Sequence, residues 1–103
     1  MNKRAYEERA KIIKALAHPS RLIIVDALTD GEKCVCELRQ LVGSDMSTVS
    51  KHLSVMKEAG IVDDRKVGQQ VFYSLRCPCI VSFLGCVEDV MKANARRKME
   101  LVA

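Results

Sequence analysis

A chain of 103 residues, 49% hydrophobic and 29% charged, has room for one globular domain with a modest core and is too apolar to be disordered. Aromatic residues make up only 4%, with no Trp, so Leu, Ile, Val, Met and Ala must fill that core, and a core of this size favours oligomerisation. The net charge of +4 leans toward a polyanionic partner.

Met1-Asn2-Lys3-Arg4 lacks the apolar stretch of a secretion signal, and no segment approaches the roughly 20 apolar residues of a membrane span. The expectation is a cytoplasmic chain with reduced thiols. Its five cysteines are odd in number and too few for a disulfide scaffold, which points to metal or redox chemistry. From Lys3 to Leu16, charges alternate with Ala5, Tyr6, Ala10, Ile13 and Leu16 at helical spacing. Ala17-His18-Pro19-Ser20 interrupts that pattern, and Pro19 suits the first turn of a second helix running to Leu28. His18, beside Pro19, is expected to act as a local hydrogen-bonding group rather than as a ligand or base.

Asp30-Gly31 marks a turn into a very short strand at Glu32-Lys33-Cys34. Val35, Leu38, Leu41 and Val42 then form the apolar face of a third helix, and Gly43-Ser44 turns into a fourth. There Asp45 is a natural N-cap and Gly60 a natural stop, with Met46, Val49, Leu53 and Met56 as the inward stripe. Ser47, Thr48, Lys51 and Ser54 project from the opposite side. Two short helices joined by a tight turn form a helix-turn-helix, whose second helix suits a major groove. Ile61-Val62 opens a strand, Gly68 turns it, and Val71-Phe72-Tyr73-Ser74-Leu75 returns, a hairpin or wing. The candidate DNA contacts are Ser47, Thr48, Ser50, Lys51 and His52 on the helix, and Arg65, Lys66 and Gln69 on the wing. After Cys77-Pro78-Cys79, a last helix carries Ile80, Phe83, Leu84, Val87, Val90 and Met91 to about Asn94, and Ala95-Arg96-Arg97-Lys98 reads as a solvated, fraying tail. Its apolar surface exceeds what the core can hide, so the first and last helices are expected to form a dimer interface. The fold class is mainly α (α+β): one winged helix-turn-helix domain over residues 1–103 with a two- to three-stranded wing.

These segments resemble the ArsR/SmtB family of metal-sensing transcriptional repressors. The resemblance is carried by Ala15 to Leu22, by Cys34-Val35-Cys36-Glu37-Leu38, by Ser47 to Leu53, by Glu58 to Val62 and by the wing ending Val71 to Leu75. It implies a homodimer that binds operator DNA in the apo form and leaves it when a metal or metalloid binds, with no permanently bound cofactor. In similar family members Cys-Val-Cys on this helix marks arsenite/antimonite or cadmium/lead sensing, and the arsenite pattern adds a third Cys where this chain has Arg39. As(III)/Sb(III) is the first effector expected, Cd(II)/Pb(II) the alternative.

The residues themselves add to this. Cys34 fills a cap slot that normally wants Ser, Thr or Asp, although Glu37 stands ready for a capping box. Such a broken local rule points to function. A helix N-terminus favours thiolate, the form that binds soft metals. Cys34 and Cys36, at positions i and i+2, point about 200° apart on a regular helix. Joint binding should therefore distort the first turn and disturb the reading helix behind it. With the wing's return strand paired to the short strand, Cys77 or Cys79 is expected near Cys34, giving Cys34, Cys36, Cys77 and Cys79 as candidate ligands. Alternatively Cys77, Cys79 and Cys86 form a separate thiol site. Cys79 and Cys86 lie roughly 10 Å apart along a helix, so Cys86 is read as a buried apolar residue. The histidine-rich zinc pattern of some members is absent. A thiol switch forming a disulfide or persulfide remains open. An enzyme is not expected, for no βαβ redox pattern, Ser/His/Asp arrangement, paired carboxylates or phosphate-binding glycine loop is visible.

Overall fold

Each helix of the inner domain begins where a side chain can satisfy a backbone amide that has no helical partner, with one exception. In the computed structural model, which describes residues 1–102, helix α1 (Lys3–Leu16) starts at Asn2, whose side-chain oxygen accepts from the Ala5 amide at 3.0 Å. Helix α2 (Pro19–Leu28) starts at His18, whose Nδ1 accepts from the Ser20 amide at 3.0 Å, and Pro19 takes the position that needs no amide. His18 thus has the local role expected of it. Strand β1 (Lys33–Cys34) leads into helix α3 (Val35–Val42), which is the exception: Cys34 stands at its cap and offers no side-chain bond to the backbone. Helix α4 (Met46–Glu58) is capped by Asp45, which accepts from the Thr48 amide at 2.8 Å. Between α3 and α4 the chain turns at Gly43, whose φ of 78° no β-carbon-bearing residue adopts cheaply.

Strands β2 (Val62–Val67) and β3 (Gln70–Leu75) form the wing, turned by Gly68 and Gln69. The sheet order is β1-β3-β2, antiparallel throughout. Cys34, Phe72 and Arg65 occupy one row across it, and Lys33, Tyr73 and Asp64 the next. Lys57 of α4 holds Asp64 at 2.9 Å, tying that helix to the wing. Tyr73 is half-buried against the core, and burial, with Asp64 beside it, pushes its hydroxyl pKa up.

The core lies between α2, α3, α4 and the start of β2. Ile24, Val25, Leu38, Val49, Leu53, Met56 and Val62 are almost wholly shielded, each such burial worth roughly 1.5–3 kcal/mol. Helix α1 adds only Ala15 and Leu16 from its last turn. Met46, expected in the inward stripe, is 39% exposed because it occupies the first helical position, at the rim.

Helix α5 (Cys79–Val102) runs on through the basic segment that was expected to fray near Asn94. Ala, Arg, Lys, Met, Glu and Leu are strong helix formers, and neither Gly nor Pro interrupts them. No residue of α5 is buried, and Phe83, Val87, Val90 and Met91 face outward, as do Ile12 and Ile13 of α1. Cys86 is exposed as well, contrary to the expectation of a buried apolar position: its own chain supplies nothing to cover that side of α5.

Candidate nucleic-acid interface and thiol positions

The two faces of α4 differ in chemistry because they differ in what they pack against. Val49, Leu53 and Met56 lock it into the core, which leaves Ser47, Thr48, Ser50, Lys51 and Ser54 in solvent. Short hydroxyls and one ammonium on a convex helix can enter a groove about 12 Å wide and meet base edges and phosphates. The Thr48 amide and the hydroxyls of Thr48 and Ser47 all bond Asp45 and hold its carboxyl below its usual pKa. The cap therefore stays ionised and the first turn stays fixed.

His52 does not belong to that face. Its ring is buried, its Nδ1 accepts from Arg21 Nε at 3.0 Å, and it lies 4.4 Å from the ring of His18. Burial first, then the neighbouring His18, Arg21 and Lys51, lower its pKa. The expected DNA contact at His52 is thus corrected by its position three residues after Val49 and four before Met56, inside the apolar stripe. That spacing was the signal that could have revealed it.

On the wing, Lys66 and Gln69 are exposed. Arg65 is exposed too, but its guanidinium is already engaged. Nε donates to Glu32 Oε2 at 2.9 Å and the second nitrogen to Oε1, with the group set over the Phe72 ring. Arg65 holds the Glu32 carboxyl below its ordinary pKa. A phosphate reaching Arg65 must therefore displace a carboxylate, a competition the sequence did not disclose. Among the described residues Lys51 and Lys66 join no ion pair.

All five cysteines are free thiols. Cys34 is buried, and its thiol donates to Glu37 Oε1 at 3.4 Å, so Glu37 serves the sulfur instead of closing a capping box. Cys36, the second residue of α3, is exposed, in keeping with the opposed directions expected of i and i+2. The pairing of β1 with β3 occurs as expected, but its register sets Cys34 opposite Phe72. β3 ends at Leu75, so Cys77 and Cys79 lie past the stretch that pairs with β1. Among the described residues no three His, Cys, Asp or Glu side chains are gathered as a metal ion would need, so the four-cysteine set is not assembled within one protomer.

A family model for the bacterial regulatory proteins of the arsR family matches residues 18–64. The biofilm growth-associated repressor of Xylella fastidiosa is 45% identical over 75 residues, 73% of this chain and 65% of the repressor, so the match spans slightly less than two thirds of that relative. The crystal structure of Rv0081 from Mycobacterium tuberculosis superposes with a TM-score of 0.80 at 33% identity, covering 99% of this chain and all of the other. The homodimeric winged helix-turn-helix DNA-binding domain of Mb0332 from Mycobacterium bovis gives 0.79 at 26% identity, covering 94% and 93%.

Proposed function

The chain belongs to the arsR family of bacterial regulatory proteins, and from that membership we propose a homodimeric transcriptional repressor that reads operator DNA with α4 and lets go when a thiophilic ion is bound. The observation that carries the reading is the outward face of α4, with Ser47, Thr48, Ser50 and Lys51 in solvent beside a wing that exposes Lys66 and Gln69. The uncovered stripe of α5, with Ile12 and Ile13 of α1, supports the dimer, and the similar winged helix-turn-helix domain of Mb0332 is homodimeric. Two copies would read half-sites roughly 34 Å apart or a multiple of that.

The donor chemistry at the start of α3 fits a soft effector, arsenite or antimonite first and cadmium or lead second, because Cys34 and Cys36 offer sulfur. When bound, the ion would supply only charge neutralisation and a cross-link between thiolates. The rest falls to the chain. To bring both sulfurs together, Cys34 must leave Glu37 and the uncapped first turn of α3 must rearrange. Helix α3 supports α4 through the buried Leu38, so that movement tilts the reading helix. Further donors would come from Cys77, Cys79 or a second copy.

The test is a titration of reduced protein with arsenite, antimonite, cadmium, lead and zinc while release of a labelled operator duplex is followed by anisotropy. Full release from Cys34→Ser/Cys36→Ser protein would overturn the thiol input. Among the described residues no third donor is gathered, which favours a second reading in which the same thiols are oxidised to a disulfide, or take a sulfane sulfur from a polysulfide to form a persulfide while the shortened polysulfide leaves. Mass spectrometry after each treatment, with and without metal, separates the two.

A further inference from the structure

One guanidinium joins three helices at the back of the reading helix. Arg21 of α2 donates from Nη1 to the Ala15 carbonyl in the last turn of α1 at 3.3 Å, and from Nε to Nδ1 of His52 in the middle of α4 at 3.0 Å. The His18 ring, at the cap of α2, lies against His52 with the ring planes tilted by 45°. His52 follows Lys51 directly, so the residue that faces this joint is the neighbour of one that faces outward.

We propose that Arg21 and His52 form a positioning pair that holds α4 in its DNA-reading orientation only while His52 is neutral, which makes DNA binding sensitive to mild acid. Arg21 is always charged and only donates, so Nδ1 must keep its lone pair and the proton must sit on Nε2. A protonated ring would present a second donor to Arg21 and break the bond that ties α4 to the α1–α2 corner. The groups facing His52 are Arg21 and His18 from α2 and Lys51 from α4 itself, all basic, while α1 reaches it only through the Ala15 carbonyl held by Arg21. Beyond Arg21 lies a groove lined by Glu8, Lys11, Lys14 and Glu58.

The sign follows from the depressed pKa of His52. The neutral form's contribution is complete above the ordinary histidine value of about 6.5 and is lost as pH falls through the lower folded-state value. Added positive charge would by itself strengthen attachment to a polyanion. A loss of affinity in acid is therefore the opposite of a generic charge effect.

The inference rests on the reading of α4 as the DNA-contacting helix, and the experiment has two arms so that the two can fail separately. In the first, reduced, metal-free protein binds a fluorescein-labelled duplex that it has itself selected from a random pool. From pH 7.5 to 5.5 the wild type should lose a few-fold in affinity, since a single group with a pKa below about 6.5 contributes less than about tenfold over that range. His52→Asn, whose carbonyl can stand where Nδ1 accepts but cannot titrate, should hold its affinity or gain. Arg21→Lys, too short to span Ala15 and His52, should bind several-fold more weakly at pH 7.5 with the same salt slope, since no phosphate contact is removed. The second arm needs no DNA. Exchange of the α4 amides relative to those of α3, corrected for intrinsic rates, should quicken in acid for the wild type and not for His52→Asn. His52→Gln replaces His52→Asn if the latter does not fold. Affinity that is flat or rising in acid, or the same acid response in both proteins, overturns the proposal. A pool that yields no preferred duplex overturns the DNA reading instead and leaves the exchange arm to judge the pair.

Discussion

Helices α4 and α5 answer to different neighbours. In its 13 residues α4 buries four side chains in the core of its own chain, while the 24 residues of α5 bury none. An amphipathic helix is stable where its stripe is covered. The orientation of α4 is therefore an intramolecular property, whereas the apolar stripe of α5 is satisfied only by something outside the protomer. Under the proposed function, α4 would be held in place at any concentration, whereas α5 would respond to concentration.

The largest effect that would break this contrast is on the inner side. Leu53→Ala should cost about 2–5 kcal/mol of stability in urea unfolding, the usual range for truncating a shielded leucine. A loss near zero would mean that α4 is not held by its core. On the outer side Val87→Asp should leave the fold intact but give a monomer by sedimentation, with affinity for a duplex carrying two half-sites lower on the order of a hundredfold. A Val87→Asp protein that stayed dimeric would show that the stripe is covered by something other than a second copy. Lys51→Ala should weaken binding to every sequence alike and lower the salt slope by about one, whereas Thr48→Ala should relax discrimination at one base position of each half-site. The smallest expected change is at the wing. Glu32→Gln should release Arg65, raise affinity a few-fold and steepen the salt slope by up to about one. An unchanged slope would place Arg65 out of reach of phosphate.

Much of this was legible in the sequence because it is local. Helix starts follow from Pro19 and Asp45, the tight turn from Gly43, and the wing from Gly68 between β-forming runs. What escaped was either non-local or overruled by residue type. Arg65 finds Glu32 across 33 positions, and no pattern along the chain announces that pairing. The strand pairing is legible but not its register, which sets Cys34 opposite Phe72. His52 was assigned by chemistry, as a polar side chain on a reading helix, when its spacing already placed it inward. The end of α5 is not legible from its run of cations, because solvent exposure and helicity are compatible in Arg- and Lys-rich segments.

The half-buried Tyr73 gives the molecule an optical readout of its own. The chain has no Trp and two Tyr, so its near-ultraviolet emission comes from Tyr6, on the exposed outer surface of α1, and from Tyr73. Tyr73 sits on the middle strand, opposite Lys33, the residue before Cys34, and opposite Asp64 of the wing. Iodide quenching of Tyr6 would leave a signal dominated by the strand that adjoins both the thiol segment and the hairpin, and a disturbance at either would be read there without a label.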